Sequence, residues 1–253
     1  MADLTGMLQA AAGSGGLATT YTPILAPGAE TINEDPFAEY LSLAIPVNGT
    51  YSYNDISATI KGSGSNKNVS VTGGLASGGK FYTYAGQGGQ QATLQMDNKP
   101  DLTLTGPFCI ELWYLIVSFG SFGFFFGNTR TDSGRGKGYK FLNGGESSLY
   151  MSWAPDGSQL NTTIMPVGVA YTVPGNTAGS GWHHVAWTRD ENNIGRAYFD
   201  GQVYFEGAVT SNSLVGSDSF QFATSAYAYN GKWQDFRIYV GTNKYAPGGF
   251  SVP

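Results

Sequence analysis

GWHHVAWTRDENNIGRAYFDGQ, residues 181–202, holds both histidines of the chain, His183 and His184, between Trp182 and Trp187. A His pair beside an Arg-Asp-Glu run reads either as a metal or acid/base site, or as strands and a turn that contain histidine. Side-chain alternation decides between them. Successive side chains of a strand point to opposite faces. Trp182, His184, Ala186 and Thr188 then face one way, and His183, Val185, Trp187 and Arg189 the other. Adjacent strand residues cannot close on one metal without a bulge, and a zinc site needs further Cys, His or carboxylate ligands at local spacing. The chain has no third histidine, and its one cysteine, Cys109, lies in the apolar run FCIELWYLIV, where a buried, inert thiol is expected. The stretch reads as strand, loop and strand, with Asp200-Gly201 as a tight turn into a further strand, QVYFEG.

The same pattern extends outward. CIELWYLIV, FGFFFGN, YKFLNG, SLYMSWA, DSFQFAT and KWQDFRIYVG read as strands, as do the shorter runs YLSLAIPV, SATIKG, NVSVTG, KFYTYAG and QATLQM upstream. Asp156-Gly157, Asp200-Gly201 and Asn230-Gly231 supply turn signals. Composition agrees: of 253 residues, 37 are Gly, 31 are Tyr or Phe, and only 12% are charged, against an ordinary share of about 25%. These features imply an all-β, two-sheet antiparallel sandwich with a core large enough to need no disulfide. A net charge of -5 without a basic block leaves no footprint for nucleic acid. The longest apolar run, 108–117, is too short to span a bilayer and carries Glu111, so no membrane association is expected. The N-terminus has no basic region before an apolar stretch, so no secretory signal is expected.

Two domains of unequal character follow. Residues 1–36 form an extended arm in which Leu4, Met7, Leu8, Ile24 and Leu25 offer apolar contacts for docking. Residues 37–253 form the sandwich.

Trp182, His184, Val185, Ala186 and Arg189, followed by Tyr198, Asp200 and Gly201, carry the pattern W-x-H-V-A-x-x-R…Y-F-D-G. Gly231, Asp235, Arg237, Ile238, Gly241, Tyr245, Phe250 and Pro253 carry a closing pattern. PFCIELWYLI and the N-G…D-x-S of residues 48–57 complete the set. Over roughly residues 40–253 the chain resembles the concanavalin A-like lectin/glucanase superfamily in its laminin-G-like form. That resemblance implies a concanavalin A-like jelly roll. Its opening LTGMLQAAAG and short tail also resemble structural proteins of tailed phages of marine bacteria and cyanobacteria. This implies a virion protein made in the host cytoplasm, either a capsid decoration or a tail or fibre component. Its expected partners are other virion proteins, reached through the arm, and further copies of itself.

Catalysis is not expected. Glucanases of the superfamily use an E-x-D-x-x-E triplet on one strand, and none is present. GSGSNKN lacks the ending of a phosphate loop. Asp235 and Arg237, two apart on a strand, are read as a structural ion pair or hydrogen-bond brace. No cofactor or metal ligand set is assigned. The alternative function is carbohydrate binding for attachment to a host surface. Its candidate residues are Trp153 with Asp156, and Tyr227 with Tyr229 and Asn230, since sugar sites combine an aromatic platform with polar hydrogen-bonding groups.

Overall fold

The computed structural model describes residues 17–21, 34–46, 55–72, 75–77, 82–84, 93–96, 102–118, 123–127, 138–143, 148–154, 162–163, 171–173, 175–209, 220–222 and 230–252. Among these residues the fold is two eight-stranded antiparallel sheets, as the alternating runs imply.

The first sheet is built around β6 (Phe108–Ser118). One flank of β6 holds β12 (Trp182–Arg189), then β13 (Ile194–Phe199), then the edge strand β14 (Gln202–Ala208). The other flank holds β16 (Asn230–Val240). The far side of β16 is long enough for two partners. The pair β4 (Tyr82–Tyr84) and β3 (Leu75–Ser77) lies at one end, and β1 (Leu41–Ile45) at the other. The second sheet runs β10 (Thr162–Thr163), β9 (Ser148–Ala154), β8 (Gly138–Asn143), β7 (Gly123–Gly127), β15 (Phe220–Phe222), β5 (Thr93–Met96) and β2 (Val69–Thr72), with β11 (Tyr171–Thr172) also on β9.

The 181–202 stretch folds as its alternation implies. β12 pairs with β6 along its whole length and with β13 from Val185 onward. Asp200 (φ 45°) and Gly201 (φ 77°) make the tight turn between β13 and β14. At the central strands β6, β12 and β16, both faces of this sheet are buried. Val185, Trp187, Ile110, Leu112, Phe236 and Ile238 join one apolar cluster, against which Val69 of the second sheet packs. Ala186, Cys109, Trp113 and Tyr239 join a second cluster on the opposite face. That outer face is covered by the chain's own ends: Tyr21 and Phe37 from one side, Tyr245 and Phe250 from the other.

Two local expectations are corrected. SATIKG is a helix, α1 (Ser57–Lys61), not a strand. The Asp55 carboxylate accepts the Ser57 N–H at 2.9 Å, Asn66 Oδ1 accepts the Ala58 N–H at 2.9 Å, and Gly62 at φ 74° closes the end. These terminal hydrogen bonds outweigh the alternation of Thr59 and Ile60. Asn230-Gly231 is the start of β16 rather than a turn, with Asn230 opposite Ser118, Gly231 opposite Ile116 and a register shift between them. A glycine in a strand often marks such a bulge. Trp182 stands at the end of β12 and is only half-buried, whereas Trp187 is 1% exposed and is the core tryptophan of that strand. Trp182→Ala is therefore expected to cost about 1–2 kcal/mol in a urea titration, well below the loss for Trp187; an equal loss would contradict this placement.

Within residues 1–36, the segment 17–21 lies on the sandwich. Ala18 bridges Tyr245 and Thr20 bridges Ser251 in parallel, and the Tyr21 N–H donates to Ser251 O at 2.7 Å. Leu4, Met7, Leu8, Ile24 and Leu25 lie outside the described residues. Among those described, no helix is long and apolar enough to cross a membrane.

Candidate functional site

Glu111 is the hub of the outer face. It stands on β6 in an otherwise apolar run and is fully buried. A carboxylate there must be paired. Its Oε1 receives Arg237 Nη2 at 2.9 Å and Lys244 Nζ at 2.8 Å, and its Oε2 accepts a hydrogen bond from the Tyr245 hydroxyl. Burial alone raises the Glu111 carboxyl; Arg237 and then Lys244 outweigh it and hold the group well below the usual carboxylate range.

A bulge in β16 aims the partners. Gln234 lies opposite Trp113 and Arg237 opposite Glu111, so three steps on β16 match two on β6. Asp235 takes up the extra residue at φ 53°, a left-handed conformation that a short polar side chain tolerates. The bulge turns Phe236 into the inter-sheet core and leaves Asp235 and Arg237 together outside, 3.3 Å apart, the ion pair read from their spacing. Asp235 Oδ2 also accepts the Tyr21 hydroxyl at 2.6 Å. Arg237 Nη1 donates to the Tyr239 hydroxyl at 2.7 Å, and that hydroxyl donates to Asp35 at 2.5 Å. Burial pushes Asp235 up despite Arg237 beside it. Burial likewise raises the hydroxyls of Tyr21, Tyr239 and Tyr245 well above their ordinary value. Cys109 is buried, as expected, and its thiol is raised first by burial and then by Glu111.

The two histidines part company, as the alternation requires. His184 is fully buried between aromatic rings, 4.1 Å from Tyr21 and 5.4 Å from Trp113 between centroids. Burial holds it neutral, below its ordinary range. Its Nε2 is 3.6 Å from Glu111 Oε2, an electrostatic contact too long for a well-formed hydrogen bond. His183 stacks on Phe199 at 4.8 Å. Its Nδ1 is 2.7 Å from Asp200 Oδ2 and its Nε2 is 2.7 Å from Ser180 Oγ. Ser180, His183 and Asp200 share the connectivity of a nucleophile relay. The Thr177 carbonyl, however, is 2.5 Å from Oγ and is the nearer acceptor for the hydroxyl hydrogen. The three side chains therefore fasten the turn before β12 to the β13–β14 turn, where Asp200 Oδ1 also accepts the His184 N–H at 2.8 Å.

The Arg-Asp-Glu run is used in the same way. Arg189 donates to the carbonyls of Leu104 and Gly106, and Asp190 accepts the N–H groups of Asn192 and Ile194 while pairing with Arg196 at 2.8 Å. Among the described residues, no group of three or more His, Cys, Asp or Glu is placed to hold a metal ion.

An open cleft of about 570 Å³ lies beside this framework. The β13–β14 turn, Thr19 and the closing segment 247–251 form its walls. The described residues that line it include none of the sugar-site candidates. Trp153 sits on β9 opposite Tyr139 and Thr162, and Asn230 begins β16. Asp156, Tyr227 and Tyr229 lie outside the described residues. The sequence pattern assigns no catalytic role to Glu111 and no role at all to Tyr21. The signal for Glu111 was a single charge inside a strand apolar on both faces; for Tyr21 no local signal exists, because its partner is 214 residues away.

A family model described as the concanavalin A-like lectin/glucanases superfamily, laminin G type, matches residues 86–242. The solved binding domain of botulinum neurotoxin DC, in complex with rat synaptotagmin II, superposes with a TM-score of 0.62 at 15% identity, covering 82% of this chain and 50% of that one. A structure of botulinum neurotoxin type C, described by its dependence on two ganglioside molecules for cell entry, gives 0.61 at 13% identity, covering 85% and 51%. The binding domain of Paraclostridial Mosquitocidal Protein 1 gives 0.59 at 12%, covering 82% and 51%. The chain spans about half the length of these structures, and at such identities the likeness is one of fold. No curated protein matches.

Proposed function

Because the chain belongs to the concanavalin A-like lectin/glucanases superfamily, we propose that it is a non-enzymatic structural protein of a tailed-phage particle. It acts by packing against other particle proteins and presenting a recognition surface outward. One observation carries the non-catalytic part: three ionisable residues of the family-like motifs, Glu111, Asp235 and Arg237, are fully buried and paired with one another on the outer face of the sheet. A sealed ion cluster offers a substrate no access. The particle role is supported by the phage-like opening and tail of the sequence, and by an N-terminal stretch with apolar residues ahead of the anchored segment 17–21.

A second reading, attachment to a host-surface glycan, is favoured by the cleft and by the fold shared with toxin binding domains. The two are compatible in one protein, since assembly uses the arm and recognition the domain.

Removing residues 1–16 tests the assembly role. Residues 17–21 stay, so the domain is expected to melt cooperatively near the full chain's temperature. The truncated chain is expected to be missing from particles assembled in its presence. A folded truncation that is incorporated normally would defeat the docking role of the arm.

A further inference from the structure

Resting on the glycan reading above, we infer that the cleft between the β13–β14 turn and the closing segment is a binding site for a neutral sugar. Its volume, about 570 Å³, falls within the span of small-molecule sites, roughly 300–1,000 Å³. One or two pyranose rings fit that space.

The chemistry of the walls selects the ligand. Thr19, Gln202 and Ser251 bring hydroxyl and amide groups, while Val203, Pro247 and Phe250 bring apolar surface. Among the described residues, no Asp, Glu, Lys, Arg or His lines the cleft. A sugar ring has the complementary make-up, hydroxyls around an apolar face. A sialic acid carboxylate would find no cation there, and desolvating an unpaired charge is costly.

The site is also preformed. Gly201 O accepts the Phe250 N–H at 2.9 Å, the Tyr198 hydroxyl donates to Ala246 O at 3.0 Å, and the Ala246 N–H donates to Ala18 O at 3.3 Å. Asp200, next to Gly201, is held by His183 and by the His184 N–H. Thr19 lies between Ala18 and Thr20, which bridge Tyr245 and Ser251. Walls fixed in advance reduce the ordering cost of binding.

Glycine geometry supplies the probe. A Cβ on Gly201 would collide with the Phe250 carbonyl, and one on Gly249 would come within 2.5 Å of Gly201 O, so neither can be enlarged. A Cβ on Gly248 meets nothing within 4 Å, and its φ lies outside the left-handed range. Gly248→Trp therefore adds bulk at a residue of the cleft wall without backbone strain.

The experiment probes an array of neutral and sialylated oligosaccharides with the full chain, with Gly248→Trp and with Gln202→Ala, after thermal melts establish that each is folded. The full chain is expected to bind neutral glycans. Gly248→Trp is expected to weaken that binding by about tenfold or more, and Gln202→Ala, at an exposed position, by several-fold. Should Gly248→Trp fail to fold, Gln202→Ala decides alone. Neutral-glycan binding unchanged in the folded variants would overturn the cleft and leave the glycan reading standing. Binding confined to sialylated glycans would do the same. No glycan binding by the full chain would remove both.

Discussion

Glu111→Gln is expected to destabilise the folded chain by about 3–5 kcal/mol at neutral pH, the usual cost of breaking a buried ion pair from one side. The amide keeps the shape but not the charge. Arg237 then keeps Asp235 and Asp35, while Lys244, also buried, faces an uncharged amide in place of the Glu111 carboxylate. The pH dependence follows from the direction of each shift. Glu111 has a folded value below its unfolded one, so its contribution is complete above the unfolded value of about 4.3 and drains away as pH falls toward the folded value. His184, kept neutral by burial, adds a loss that begins as pH falls below its unfolded value of about 6.5. Asp235 runs the other way, because its raised value means that acid relieves the cost of its buried charge. Urea titrations of the wild type and Glu111→Gln at pH 7 and pH 4 should therefore show a wide gap in midpoint that narrows in acid. Equal midpoints at pH 7 would show that Glu111 does not hold the outer face together.

Trp187→Ala should cost about 3–5 kcal/mol, as large aromatic truncations in a closed core do. Trp187 lies edge-to-face with Phe108 at 4.8 Å and stands between Ile110 on β6 and Ala197 on β13. Three strands of the sheet lose a shared packing partner at once, and the surrounding backbone ladders leave little freedom to collapse into the cavity. A midpoint shift no larger than that of Trp182→Ala would contradict the assignment of faces in β12.

Much of this was legible in residues 181–202, because alternation and an Asp-Gly turn are local signals. They separated His183 from His184 and joined β13 to β14 before any tertiary contact was considered. The spacing of Asp235 and Arg237 also foretold their ion pair, although the pair forms across a bulge that period-2 reasoning does not contain. What could not be read was long-range. Glu111 meets Lys244 from 133 residues away and Tyr21 meets Asp235 from 214 away, and no window of sequence holds either pair. SATIKG was read as a strand because its alternation is visible, while the Asn66 side chain that bonds the helix start lies beyond the run. The cleft escaped for the same reason: its walls come from residues near 19, 202 and 250, and it depends on backbone approach rather than on any residue type that marks a sugar site.

The proposed role in a phage particle is tested most directly by cryo-electron microscopy of purified particles. The expected result is density for the sandwich on the capsid or tail, with residues 1–16 against a neighbouring chain and the Thr19–Gln202–Gly248 cleft facing outward. Particles that lack this chain altogether would contradict the structural role and leave a free binding protein in its place.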